Sequence, residues 1–102
     1  MQWNLFLDDE RYPATNNWIV VRSYEDAVWY VESFGLPDRI SFDHDLGEGP
    51  TGYDFVKWLC DYIMDHNLNV SNLQWDVHSQ NPVGAENIRS YLSNFLNNYT
   101  EN

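Results

Sequence analysis

A chain of 102 residues with five Lys+Arg against sixteen Asp+Glu, a formal net charge of -11 and 43% hydrophobic residues has the length of one domain and the material for one core. Five Trp, seven Tyr and five Phe exclude a disordered composition, and the single Cys60 excludes an internal disulfide or a multi-Cys zinc site. The longest apolar run, 27–31, is too short to span a bilayer, no basic-then-apolar leader precedes Asp8, and the acidic balance lacks the basic footprint that extensive duplex nucleic-acid binding needs. The expectation is a single soluble domain over residues 1–102, cytoplasmic and without membrane association.

Four short apolar runs, 3–7, 18–22, 39–42 and 73–77, are rich in β-branched or aromatic residues and do not alternate strictly, which suits buried parallel strands. The link between the first two, 8–17, contains Pro13 and has no helical period. It predicts either an irregular crossover in place of a helix or an antiparallel first pair. Ser23 and Asp26 predict a capping box that opens a helix with apolar positions Tyr24, Ala27, Val28, Val31 and Phe34, ended by Gly35. Thr51 and Asp54 predict a second box, followed by Phe55, Trp58, Leu59, Tyr62 and Ile63 at helical spacing. After Asn81 and Pro82 a third stripe runs through Ile88, Tyr91, Leu92, Phe95, Leu96 and Tyr99, with fraying expected over the Asn-rich stretch 94–102. The alternation of strands and helices predicts an α/β domain with an open, mostly parallel four-stranded sheet and three helices.

In such sheets ligands bind beyond the carboxyl ends of the strands. The first strand runs into Asp8, Asp9, Glu10 and Arg11, the third into Asp43, His44, Asp45 and Gly47, and the fourth into His78, Ser79, Gln80 and Asn81. At least four acids would crowd one rim and repel, and a divalent cation is the usual resolution. His44 and His78 enter the same cluster, and imidazole is the side chain suited to general acid–base work near neutral pH. His66, near the end of the second helix, is read as structural, and Cys60 as packing. The loops 47–52 and 81–85 each lead to a helix N-terminus that can hold a phosphate oxygen, although neither is a Walker motif. A nucleophilic triad built on Ser79 is not supported, because neighbours along a strand face opposite ways.

These residues carry a resemblance. The pair Asp8 and Asp9, then Asp43, then a small hydroxyl after the next strand resemble the response-regulator receiver domain. More closely, LFLDDERYP, SFDHDLG with the following TGYD, and VHSQNPVGAENI resemble the cyclic-phosphate processing receiver domain, a bacterial and phage family proposed to act on cyclic phosphate ends in RNA repair. The resemblance implies a small receiver-like (flavodoxin-like) fold lacking the first helix and last strand of ordinary receivers. The only lysine, Lys57, lies inside the second helix rather than after a fifth strand, which argues against a signalling switch.

The resulting expectation is a metal-dependent phosphoesterase acting on a cyclic phosphate, its partner a phosphate-containing small molecule or an RNA end, in a bacterial or phage-infected cell. Asp8, Asp9, Asp43 and Asp45 are the candidate ligands of Mg²⁺ or Mn²⁺, which would offset phosphoryl charge and orient a water. His78, with Asp43 and His44, is the candidate catalytic set. Arg11, Ser79, Asn81 and Gly84 are the substrate-binding candidates. Neutralising Asp8 or Asp43 is expected to relieve repulsion in the metal-free protein. Two rival readings are a non-catalytic pseudo-receiver that accepts a phosphoryl group on Asp43, and an acidic decoy acting through Glu25, Glu32, Asp61 and Asp65.

Overall fold

The structure, a computed structural model, describes residues 2–99. In chain order these form β1 (Asn4–Leu7), β2 (Ile19–Val21), α1 (Tyr24–Phe34), β3 (Arg39–Phe42), α2 (Gly52–Asp65), β4 (Gln74–Val77) and α3 (Pro82–Asn98). The strands lie in the order β2-β1-β3-β4, and every neighbouring pair is parallel. The link between β1 and β2 is therefore the irregular crossover. The fold is the expected receiver-like α/β arrangement.

Register separates the two faces of the sheet. Leu5 aligns with Ile19 and Ile40, and Leu7 with Val21 and Phe42. These side chains join one core with Ala27 and Val31 of α1, Phe55, Leu59 and Ile63 of α2, and Ile88 and Leu92 of α3. All three helices thus cover one face. Full burial of each Val, Leu, Ile or Phe side chain among them contributes roughly 1.5–3 kcal/mol. The alternate row, Val20, Phe6, Ser41 and Asp76, points to the other face.

Chain direction explains why that face has no helix. From β1 the chain steps one way to β2, then back across the sheet to β3 and β4. Right-handed crossovers running in opposite directions leave the sheet on opposite faces. The first crossover is the segment 8–18, and it packs where the rule puts it. Trp18 meets Phe6 edge-on at 5.9 Å, and Asn4 Nδ2 donates to the Asn17 carbonyl at 3.1 Å.

Local signals set the helix starts. Ser23 Oγ accepts the Asp26 N–H at the start of α1. At α2 the box is reciprocal, with Thr51 Oγ1 accepting from Asp54 N and Asp54 Oδ2 accepting from Thr51 N. Asn81 caps α3, ahead of Pro82 in its first turn. One expectation is corrected. The helix continues through Asn98 instead of fraying from Asn94, because Phe95, Leu96 and Tyr99 pack against the core and Tyr99 Oη donates to the Leu68 carbonyl at 2.8 Å. The last part of that stretch, 100–102, lies outside the described residues.

Candidate active site

The alternation that gives the sheet two faces also aims the chemistry. Asp8, Asp43 and His78 each lie two residues beyond Phe6, Ser41 and Asp76, which form one row across the face that carries no helix. The backbone ladder continues past the strand ends to hold them. Asp8 N donates to Val21 O at 3.1 Å, Asp43 N to Leu7 O at 3.0 Å, and His78 N to Phe42 O at 2.9 Å. Three strand ends therefore deliver two carboxylates and an imidazole whose ligand atoms lie within 4.8 Å of one another. Asp8 and Asp43 flank the point between β1 and β3 where strand order reverses, the ordinary ligand position of such sheets.

Asp8 is a buried, fully engaged carboxylate. Its Oδ1 accepts the backbone N–H groups of Glu10 and Arg11, each at 2.9 Å. Its Oδ2 accepts Arg11 Nε at 2.9 Å and pairs with His78 Nε2 at 3.0 Å. Burial by itself would raise the Asp8 pKa, but the N–H groups of Arg11 and Glu10, the His78 bond and the Arg11 charge together hold it below the ordinary value. The Arg11 guanidinium also reaches Asp43 Oδ1 at 3.7 Å and the His78 carbonyl at 3.3 Å. Its loop is tied down by Arg22, whose Nη1 donates to the carbonyls of Asp8 and Arg11 and whose guanidinium stacks on Tyr12. Arg11 offsets part of the charge that crowds Asp8 and Asp43, which opposes the relief expected on neutralising Asp8.

His78 is held on three sides. Its ring stacks on Phe6 at 4.5 Å between centroids and 9° between planes. Its Nδ1 lies 2.7 Å from Ser41 Oγ, opposite the Nε2 bond to Asp8. Ser41, Phe6 and Arg22 were not among the site residues expected from the sequence. A hydroxyl between Ile40 and Phe42 in a central strand was the available signal, since it must find a partner once buried.

The other expected residues are placed as follows. His44, one position past Asp43, turns toward the helices. Its ring lies against Gly84, where any side chain would collide with it, and its Nδ1 pairs with Asp45 Oδ1 at 2.9 Å. Asp45 is exposed and accepts a longer bond, 3.4 Å, from Asn81 Nδ2; its pKa is lowered chiefly by the His44 bond. Ser79 Oγ accepts the Asn81 N–H, and Asn81 Oδ1 accepts the Gly84 N–H, so these three groups build the start of α3. Asp9 is exposed and lies outside the Asp8, Asp43 and His78 group, near Gly47. Gly52 lets α2 start directly on the Asp43 backbone, where a Cβ would strike the Asp43 carbonyl. Among the described residues no other group of three or more His, Cys, Asp or Glu side chains has metal-ligand spacing. His66 caps α2 and bonds the Tyr62 carbonyl, and burial pushes the Cys60 thiol up to about 12, which leaves it inert at neutral pH.

A parallel sheet with buried acids at the reversal point, and a basic side chain between them, defines a receiver-like domain. The particular relation is closer than that. The family model of the cyclic-phosphate processing receiver domain matches residues 3–94, and the chain belongs to that family. Neither a curated protein nor a solved structure matches the chain.

Two carboxylates and an imidazole within 4.8 Å have the spacing for a divalent cation, and oxygen donors suit Mg²⁺ or Mn²⁺. The residues fit, with the condition that Arg11 yields the Asp8 Oδ2 position that it holds here.

Proposed function

We propose that this chain is a phosphoesterase that opens a cyclic phosphate, such as the 2′,3′-cyclic phosphate of an RNA end or a nucleotide, at the Asp8, Asp43 and His78 centre. The observation that carries the reading is the convergence of these three groups with Arg11 at the strand ends. Membership of the cyclic-phosphate processing family supports the substrate class.

Each component of the reaction has a candidate. Arg11 holds Asp8 through Nε and the His78 carbonyl through Nη2 in the metal-free site, and once it yields Asp8 Oδ2 to an ion its N–H groups are available for phosphoryl oxygens. The charged imidazolium of His78, held at Asp8, gives its Nε2 proton to the leaving ribose oxygen as the P–O bond breaks, and returns to the neutral ring. Asp43, with only the longer Arg11 contact, is free to accept a proton from the attacking water. The proposed ligand set for Mg²⁺ or Mn²⁺ is narrowed to Asp8 and Asp43. Such an ion would supply charge compensation at the phosphoryl group. Ends of this kind arise when RNA is cut through its 2′-hydroxyl, which is the repair setting proposed for the family.

The test is a screen of 2′,3′-cyclic nucleotides and cyclic-phosphate RNA ends with Mg²⁺ and Mn²⁺, on wild-type and Asp43→Asn protein. Turnover by wild type that the variant lacks is the expected result. A second reading has one observation in its favour: Asp43 is the least hydrogen-bonded acid of the centre and follows the central strand. If a small phosphodonor leaves a lasting aspartyl-phosphate on Asp43 and no cyclic phosphate is opened, the domain is a phosphoacceptor module instead. In a thermal melt, millimolar Mn²⁺ is expected to raise the transition of wild type, because ligand bound only to the native state stabilises by mass action. An unchanged melt removes the metal from the proposal.

A further inference from the structure

Ser41 occupies a position where a strand needs no hydroxyl. It lies in the middle of β3 between Ile40 and Phe42, both fully buried, and is itself only 4% exposed. Its neighbours in register are Phe6 and Asp76. A buried hydroxyl without a partner is destabilising by about 1–3 kcal/mol, so packing alone would favour Ala or Val here. The partner is His78 Nδ1, 2.7 Å away, on the side of the ring opposite Asp8.

The chemistry of the two partners orders the ring. An ionised carboxylate only accepts, so His78 Nε2 must carry the proton in the bond to Asp8 Oδ2. The Nδ1–H neutral tautomer would set the Nε2 lone pair against carboxylate lone pairs. In the resting neutral ring, Nδ1 therefore accepts, and Ser41 Oγ–H donates to it. A hydroxyl also has lone pairs, so it accepts from Nδ1–H in the imidazolium and in the neutral ring left after that ion has handed on its Nε2 proton. A backbone carbonyl or a carboxylate in the same place could only accept, and would favour the opposite resting tautomer. Phe6 beneath the ring leaves rotation in its plane as the motion that the two hydrogen bonds must prevent.

We infer that Ser41 is a positioning residue for His78: its hydroxyl holds the ring with Nε2 turned to the Asp8 and Asp43 cluster, and it can bond Nδ1 both before and after proton transfer. The kinetic half of this inference rests on the phosphoesterase reading, whereas the hydrogen-bonding half does not.

The experiment separates the two. Imidazole ¹⁵N spectra of uniformly labelled wild type are expected to show His78 as the Nε2–H neutral tautomer with a hydrogen-bonded Nδ1. In Ser41→Ala the Nδ1 resonance moves toward that of an unbonded ring nitrogen, and Ser41→Thr restores it. With a turned-over cyclic phosphate, Ser41→Ala is expected to lower kcat by about 10–100-fold, the usual loss for an orienting partner, with little change in KM. Ser41→Thr is expected to retain most of the rate. Wild type with a neutral Nδ1–H tautomer overturns the inference without recourse to any variant. So do unchanged His78 resonances in folded Ser41→Ala, or a Ser41→Thr protein as slow as Ser41→Ala. If no cyclic phosphate is opened, the proposed function falls while the nitrogen resonances still decide the hydrogen bond.

Discussion

The two faces of the sheet are built from the same strands and do opposite things. On the helix side, Leu5, Leu7, Ile40 and Phe42 are fully buried and touch the residues of three helices. On the other side, Phe6 lies under a single irregular segment, and Phe6, Ser41 and His78 form a contact chain that leads to the buried acids Asp8 and Asp43. One face holds the fold together and the other holds a charged network in place. Consecutive residues serve the two purposes because a strand turns each side chain to the opposite face from the last. The difference teaches where substitutions should separate stability from chemistry.

The largest contrast is between two phenylalanines. Phe42→Ala empties a fully buried site and is expected to cost about 3–5 kcal/mol, a large part of a small domain's stability. Phe6→Ala, on the thinly covered face, should cost less in a denaturant titration and should loosen His78. Equal losses of stability would show that the two faces carry the fold alike.

The second contrast is between histidines. Under the proposed function, His78→Ala is expected to lower turnover by about two orders of magnitude or more, because general acid–base help is worth that much. His44→Ala should cost less in rate, because its ring lies against Gly84 and bonds Asp45, away from the three-residue centre. Steady-state rates of both variants decide this, and a slower His44 variant would reverse the assignment.

The third concerns pH. Asp8 has a folded pKa below its unfolded value, about 3.9 for an aspartate. Its contribution to stability is therefore present in full above the unfolded value and is lost as pH falls through the folded one. Asp8→Asn should destabilise the metal-free protein at neutral pH by about 1–3 kcal/mol, since Arg11 and His78 lose an ionised partner. The difference from wild type should shrink below about pH 4. Denaturant midpoints from pH 2 to 7 measure it, and a variant more stable than wild type at pH 7 would restore repulsion as the dominant force.

The smallest expected effect is at the cap of α2. Thr51→Ala removes one half of a reciprocal box and should cost about 1 kcal/mol. Because α2 begins on the Asp43 backbone, turnover should fall by more than that stability loss implies if the cap positions Asp43. A loss of stability with unchanged kinetics would confine Thr51 to the fold.

The sequence by itself determined the element order, the helix starts and the strand ends that bear Asp8, Asp43 and His78. These are local matters: apolar periodicity, capping side chains and the polar residues that follow a strand. It also carried the family motifs. It left open the direction of β2, because a link with Pro13 and no helical period is compatible with either pairing. Only the tertiary structure decided which acids meet. Asp9 and Asp45 look equivalent to Asp8 and Asp43 along the chain, yet both lie outside the centre, because register and the turn of each loop decide which way a side chain points. The tertiary structure also brought Arg11 between the carboxylates and Ser41 to the Nδ1 edge of His78, 37 positions away in the chain. The Arg11–Asp43 and Ser41–His78 contacts join residues far apart in the chain, so they depend on the parallel register of β1, β3 and β4, and that register is set by burying the helix face of the sheet.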